Sequence, residues 1–362
     1  MKIDRMQVTA LSVPLSRPFI GGRQLPRRNI NPVIVRLYTD AGLDAFGTAF
    51  AWNDRQVKSL VACIEDLQNV VMEQDVLRPG EAWQKLYNAT RHMGHSGYGI
   101  YAAASIDTAI CVLRAKALDM PLAHLLGGVR DTVPAYASHR LFRNWNIDEL
   151  QKDAADLVEQ GFKAMKMNMG DKSFDVEIER LKAVREAVGQ DVKIMVDANW
   201  AWSVSDAIRV GRRIEPYNVY WLEDPLAGDD PDQLATVASA LDVPVAAGET
   251  CCTKYDFRRL IEKKSVDVLL IDLQRAGGIT EWMSIANIAQ AWDLPVTSHL
   301  FHDFSVHLLA AAPNGLMLEY MPWYDQIYQE PPRVEDGCMR VPSAPGVGLE
   351  LDQDALEKYK LV

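Results

Sequence analysis

Eight short apolar runs recur along the second two-thirds of this chain, each separated from the next by a stretch long enough for a helix. They are VPAYASH (133–139), AMKMNM (164–169), KIMVDAN (193–199), VYWLEDP (219–225), VPVAAGE (243–249), DVLLIDL (267–273), PVTSHL (295–300) and LMLEYM (316–321). Runs this short, bounded by turn-forming residues, read as buried strands, whereas NIDELQKDAADLVEQ and DVEIERLKAVREAVG between them carry helical apolar spacing. Eight strand–helix units within about 190 residues fit a closed parallel barrel better than an open sheet.

The segment before this rhythm is organised differently. Residues 1 to 55 read as strands, with a hairpin break at Asp40 to Gly42, and residues 56 to 126 turn to helical spacing and end at a glycine pair. Strands followed by helices indicate a separate α+β unit. The expected division is therefore an N-terminal unit over 1–128 and a barrel over 129–339, with the tail from about 340 to 362 returning to the first unit.

A net charge of −11 argues against nucleic acid or an anionic membrane as principal partner, because both reward a basic surface. An anionic substrate then needs a local cation. The N-terminal stretch has no signal-peptide pattern and no run reaches membrane-spanning length, so a cytoplasmic protein is expected. The five cysteines have no metal-type pairing and read as reduced thiols.

In a parallel barrel the active site lies at the carboxyl ends of the strands, so the polar residues closing each run carry the chemistry. They are Lys166 and Asn168, Asp197 and Asn199, Glu223, Glu249, Asp272, His299 and Glu319. Asp197, Glu223 and Glu249 recur at an even spacing of 26 residues, which sets three carboxylates side by side at one mouth. Such a trio repels itself unless protonated or neutralised, and a hard divalent cation with oxygen ligands removes the conflict, Mg²⁺ being the natural candidate. Any one of them alone is equally read as a helix cap or ion-pair partner. Lys166 sits inside a buried run, on the same face as Asn168 and opposite Met165, Met167 and Met169; an ammonium group there requires anions.

The motifs VDANWAW, WLEDP, AGET, DVLLIDLQRAGGIT, TSHLF and LEY, in this order, resemble the enolase superfamily and within it the mandelate racemase branch. The resemblance spans nearly the whole chain. It implies a modified (β/α)7β TIM-type barrel with an N-terminal α+β capping domain, Mg²⁺ held by Asp197, Glu223 and Glu249, and removal of the proton α to a substrate carboxylate. It implies a His299–Asp272 dyad as the base, with the carboxylate fixing the ring tautomer, and Glu319 as the acid that hydrogen-bonds the substrate carboxylate. Lys166 stands beside the developing negative charge. A homo-oligomer is implied as well.

One position departs from the pattern. Two-base members of the branch carry Lys-X-Lys where this chain has Lys166-Met167-Asn168. An amide takes no proton, so the face opposite His299 lacks its base and racemisation by the usual route is not expected. Chemistry that one dyad completes remains: dehydration of a sugar acid, an aldarate or aldonate, to a 2-keto-3-deoxy acid. A cycloisomerase acting on a sugar-acid lactone or anhydro sugar acid is the alternative, and a non-catalytic binding protein on the same fold is a third reading. Substrate contacts are expected from Asn168 and Asn199, from His139 and Arg140 after the first barrel run, and from Arg23 in the loop SRPFIGGRQLPRRN, which also holds Arg17, Arg27 and Arg28. Asn168 is otherwise a structural amide. Trp202, Trp323 and Tyr324 either wall the pocket or pack, and His302 and His307 read as packing or solvent-facing residues.

Overall fold

The computed structural model describes residues 1–20, 26–226 and 230–361. Four antiparallel strands open the chain, β1 (Ile3–Ala10), β2 (Val13–Phe19), β3 (Arg27–Thr39) and β4 (Asp44–Ala51). β3 is central: β4 covers one edge, and β1 and β2 share the other. The β3–β4 turn closes through Thr39 and Leu43, with Gly42 at φ +80°, a conformation that glycine adopts without strain. The helix Tyr98–Ala117 lies against this sheet and is buried on nearly every face, so it is a core helix rather than an amphipathic surface one. β4 reaches it at Gly47, where a side chain would run into the Ser105 carbonyl.

The barrel follows as β5 (Thr132–Leu141), β6 (Ala164–Asn168), β7 (Lys193–Asp197), β8 (Val219–Glu223), β9 (Val245–Ala247), β10 (Val268–Asp272), β11 (Val296–His299) and β12 (Leu318–Tyr320). β5 through β11 pair in parallel, each with the next, and β12 pairs back onto β5 with Glu319 opposite Tyr136. Between β11 and β12 the ring is joined by the Val296–Gly315 bridge and by Thr297 Oγ1 donating to the Met317 carbonyl at 2.6 Å. Helices separate the strands, from Ile147–Glu159 to His302–Ala311, and no α-helix stands between β12 and the hairpin that follows it, which gives the (β/α)7β arrangement. A hairpin of β13 (Val334–Glu335) and β14 (Cys338–Arg340) then adds to the start of β5. The last helix, Gln353–Tyr359, returns to the N-terminal sheet, where the Tyr359 carbonyl accepts from Ser12 N at 2.8 Å.

The barrel interior is a separate packed cluster that includes Tyr136, Ala164, Met195, Trp221, Leu270 and Met317. Strand side chains alternate, so two residues beyond each of these the chain again faces inward. The residues so placed are Ser138, Lys166, Asp197, Glu223, Asp272 and Glu319. The hydrophobic plug below thus dictates which side chains reach the mouth above.

The cap is fastened to the barrel through helix Ile279–Gln290, whose first turn is capped from outside. Asp107 of the cap's long helix accepts from Thr280 N at 2.8 Å and from Thr280 Oγ1 at 2.7 Å. Gln274, just past β10, accepts from Phe50 N at 2.9 Å. These bonds fix the cap over the carboxyl ends of the strands.

His302 and His307, expected at packing or solvent-facing positions, are both fully buried. His302 faces Asp325 at 3.0 Å. His307 accepts from Ala123 N at 3.3 Å through Nδ1 and donates from Nε2 to the Val347 carbonyl at 3.0 Å, a pairing that requires the neutral ring. Burial pushes its pKa down to about 4. An unfolded histidine titrates near 6.5, so between pH 6.5 and 4 the unfolded chain binds a proton that the folded chain refuses. Stability therefore rises with pH across that window and is lost on acidification, by about 3 kcal/mol at most from this group. Thermal melting from pH 7 to pH 4 is expected to show a shallower acid loss in His307→Gln, which keeps one acceptor and one donor but cannot be protonated.

Candidate active site

At the carboxyl ends of the strands the inward-facing polar residues meet in one cavity, with Ser138, Lys166, Asn168, Asp197, Glu249, His299 and Glu319 in its wall. Lys166 is 5 % exposed and surrounded by carboxylates. Its Nζ is in hydrogen-bond contact with Glu223 Oε1, 2.8 Å from Glu319 Oε1 and 3.7 Å from Asp197 Oδ2. Burial alone would lower its pKa, but Glu223, Glu319, Tyr136 and Asp197 outweigh it and hold the ammonium well above its usual range. The end of β6 that carries it is pinned from helix Phe174–Val188: Glu177 Oε1 accepts from the backbone N of Gly170, Asp171 and Lys172, and Arg180 donates to the Asn168 carbonyl at 3.3 Å.

The three evenly spaced acids end β7 and β8 and follow β9. Asp197 accepts from Asn199 N at 2.8 Å and from Asn168 Nδ2 at 3.0 Å. Glu223, behind the cavity wall, also accepts from Trp221 Nε1 at 2.9 Å, and burial together with Asp197, Glu319 and Glu249 pushes it to about 8 against the pull of Lys166. Asp224 is buried beside them, with one oxygen that has no hydrogen-bond partner among the described residues.

His299 ends β11, and its Nδ1 faces Asp272 Oδ2 at 2.7 Å across the β10–β11 pairing. Its Nε2 lies 3.0 Å from Glu249 Oε2. Arg275 completes a ring: its backbone N donates to Asp272 Oδ1 at 2.7 Å, while Nη1 donates to the Glu249 carbonyl at 2.8 Å and lies 3.3 Å from Glu249 Oε1. Burial disfavours the imidazolium, yet Glu249 and Asp272 outweigh it and raise the His299 pKa well above its usual range. Glu319, expected to hydrogen-bond a substrate carboxylate, meets protein partners at both oxygens. Its Oε2 takes Leu300 N at 2.7 Å, and Lys166 and His299 overcome burial to hold the carboxyl below its usual range.

Not every expected substrate contact stands at the cavity. Asn168 and Asn199 line it, Asn168 with its amide nitrogen committed to Asp197. His139 and Arg140 do not: they line an adjoining pocket, where Arg140 lies 3.5 Å from Asp156. Period-2 alternation is the reason, since Ser138 and not His139 continues the face of Tyr136. Arg23 lies outside the described residues. Trp323 walls the cavity, Trp202 packs edge-on against Phe174 and Tyr324 bonds Asp303 at 3.2 Å. Sequence reading missed Ser138 and Arg275, and also Trp200, which carries φ +62° directly after Asn199 at φ +46°. The cap contributes Phe19, Arg27 and Trp52. Alternation from Tyr136 would have found Ser138; nothing local marks the cap residues.

Whether this mouth suits a divalent cation follows from its donors. The acids Asp197, Glu223, Asp224 and Glu249 are oxygen ligands only, buried, and in excess of the nearby permanent cations Lys166 and Arg275, the condition a hard cation relieves. Among the described residues no three ligand-type side chains stand gathered around one point. Glu223 is drawn to Lys166 and Glu249 to His299, and a cation competes with those partners for the same oxygens. The donor set fits.

A (β/α)7β barrel under an α+β cap, with a lysine, a carboxylate cluster and a His–Asp pair at successive strand ends, defines a class of acid–base enzyme fold. The sequence pattern described as "Mandelate racemase / muconate lactonizing enzyme, N-terminal domain" matches residues 8–127, and "Enolase C-terminal domain-like" matches 149–355. The chain belongs to the enolase superfamily, in its mandelate racemase branch. It is 32% identical over 338 residues to the arabinonate dehydratase of Saccharolobus solfataricus, covering 91% of this chain and 90% of that protein. It is 28% identical to the 3,6-anhydro-alpha-L-galactonate cycloisomerase of Streptomyces coelicolor, covering 98% of each. The crystal structure of L-talarate/galactarate dehydratase from Salmonella typhimurium LT2, liganded with Mg and L-lyxarohydroxamate, superposes with a TM-score of 0.95 at 29% identity, over 100% of this chain and 93% of that one.

Proposed function

We propose that this protein is a Mg²⁺-dependent sugar-acid dehydratase that converts an aldarate or aldonate to the 2-keto-3-deoxy acid. The observation that carries the reading is the His299–Asp272 pair at 2.7 Å, set at the same mouth as Lys166 and the buried acids, with an amide where a second base would stand. Asp197, Glu223 and Glu249 would hold the ion. Bound there, Mg²⁺ supplies electrostatic stabilisation of the charge that builds on the substrate carboxylate as the α-proton leaves.

The chain's own residues account for the remaining steps. Asp272 accepts from Nδ1, which leaves Nε2 of His299 as the basic atom once it is free of Glu249. Nε2 takes the proton from C2, and Lys166, buried and cationic, steadies the resulting anion. The imidazolium then returns that proton to the hydroxyl leaving C3, which departs as water. The enol so formed tautomerises to the 2-keto acid. One ring thus acts first as base and then as acid, which suits a site with a single dyad.

Incubation with a panel of sugar acids and Mg²⁺, followed by mass spectrometry, tests the reading. Loss of one water is expected; a mass-neutral product would assign the cycloisomerase reaction instead, which the same dyad serves and which the Streptomyces relative's name describes. Absence of turnover with every member would leave the binding-protein reading. The ligand assignment is checked separately: Asp197→Ala or Glu249→Ala is expected to weaken Mg²⁺ by about 100-fold in calorimetric titration. Unchanged affinity would remove those residues from the ligand set. Among the described residues no helix is long and apolar enough to cross a membrane.

A further inference from the structure

Asp272, the carboxylate of the dyad, is also the N-cap of a single turn, Leu273–Ala276, that closes β10. Its two oxygens are therefore divided: Oδ1 accepts from Arg275 N at 2.7 Å, and Oδ2 faces His299 Nδ1 at 2.7 Å. A carboxylate bound in this way moves with the turn that it caps. The orientation of the imidazole then depends on what holds that turn in place.

The barrel grips it from one side. Arg275 Nη1 donates to the Glu249 carbonyl at 2.8 Å, so the guanidinium ties the turn to the segment that follows β9. The cap grips it from the other. Gln274, 2 % exposed, accepts from Phe50 N of β4 at 2.9 Å, and the Tyr101 hydroxyl of helix Tyr98–Ala117 stands beside the Arg275 guanidinium. Two consecutive side chains of one turn thus engage both domains. Neither has the chemistry of a base, since one is an amide and the other a permanent cation. What they supply is orientation, and proton transfer depends on it because the ring must lie within hydrogen-bond reach of the proton that it takes.

We infer that Gln274 and Arg275 are positioning residues: through them the cap and the end of β9 fix the Asp272 carboxylate, and with it the direction in which His299 Nε2 points. The assignment rests on the proton-abstraction reading above and adds to it two residues that act through Asp272.

Kinetics of Arg275→Ala, Arg275→Lys and Gln274→Met at saturating Mg²⁺, on the sugar acid that the wild type turns over fastest, test it. In Arg275→Ala kcat is expected to fall by about 10- to 100-fold with KM within about threefold, and added guanidinium should restore part of the loss, because Arg275 borders the cavity. Gln274→Met, which has no oxygen to accept from Phe50 N, should lose about 3- to 10-fold in kcat, and Arg275→Lys should fall between wild type and Arg275→Ala. The last two variants carry the test if Arg275→Ala does not fold. Proton NMR of the protein without substrate gives a readout that needs no turnover. The far-downfield Nδ1 proton of the His299–Asp272 bond, assigned by its loss in His299→Asn, should broaden or move upfield in the variants. An unmoved proton signal with unchanged kcat, a loss confined to KM, or a loss that more Mg²⁺ restores overturns the inference and leaves the dehydratase reading intact. A displaced signal in a protein that turns over no sugar acid retains the positioning and removes that reading.

Discussion

Replacing His299 with asparagine is expected to lower turnover by about 10⁴-fold and to abolish exchange of the substrate α-proton with solvent deuterium, while Mg²⁺ still binds. The size of the effect follows from one ring serving two proton transfers. Nδ1 is held by Asp272 at 2.7 Å, and among the described residues Lys166 is an ammonium among carboxylates and Asn168 is an amide committed to Asp197, so neither replaces the ring. Asparagine preserves one hydrogen bond to Asp272, so the strand end need not move. The measurement is the α-proton signal in D2O, followed by NMR with wild type and variant side by side. Persistent exchange in the variant would move the base role from His299 to another residue.

The barrel was legible because strand ends carry the polar residues and helices recur between them. The same logic located Lys166, Asp197, Glu223, Asp272 and Glu319, because each stands two positions beyond an apolar residue of the barrel interior, and it located His299 as the last residue of its run. His139 falls outside it: Tyr136 is in the barrel plug, and two residues on is Ser138, so His139 points to the other face of the strand. Arg275 was hidden for a different reason. It belongs to the turn after β10, where no alternation holds, and its role as the link between Glu249 and Asp272 exists only once β9 and β10 lie side by side. Arg27 and Trp52 were the least visible as a pair, since the cap is docked onto the mouth by contacts such as Asp107 with Thr280, 173 residues apart in sequence. A charge-rich loop read alone does not say which of its arginines turns inward.

The charge state of Glu319 shows the limit of reasoning from burial alone. Desolvation favours the neutral acid, and a nearby anion would add to that. The structure sets Lys166 Nζ 2.8 Å from one oxygen and Leu300 N 2.7 Å from the other, and both stabilise the carboxylate. A strand-end glutamate therefore differs in protonation according to which strand-end cation it meets, and that pairing across β6 and β12 is a property of the closed ring rather than of either strand.

Of two sugar acids that differ only in configuration at C2, one is expected to exchange its α-proton and turn over, and the other to do so slower by about 10³-fold or more. A two-base site reaches the α-proton from either side of the carbon. Here one side presents His299. On the other the position two residues beyond Lys166 is Asn168, whose nitrogen donates to Asp197 at 3.0 Å and whose amide has no basic atom. Lys166 does not replace it, because losing its proton would leave Glu223, Glu319 and Asp197 buried around a neutral amine, an arrangement that low-dielectric surroundings strongly disfavour. Deuterium incorporation measured for each epimer separately, in the presence of Mg²⁺, gives the ratio. Comparable rates for both would require a proton acceptor on the Asn168 face, and Lys166→Met would then remove exchange for one epimer and spare the other. Exchange confined to a single epimer, unaffected in identity by Asn168→Ala, would fix the stereochemistry of the reaction on His299 alone.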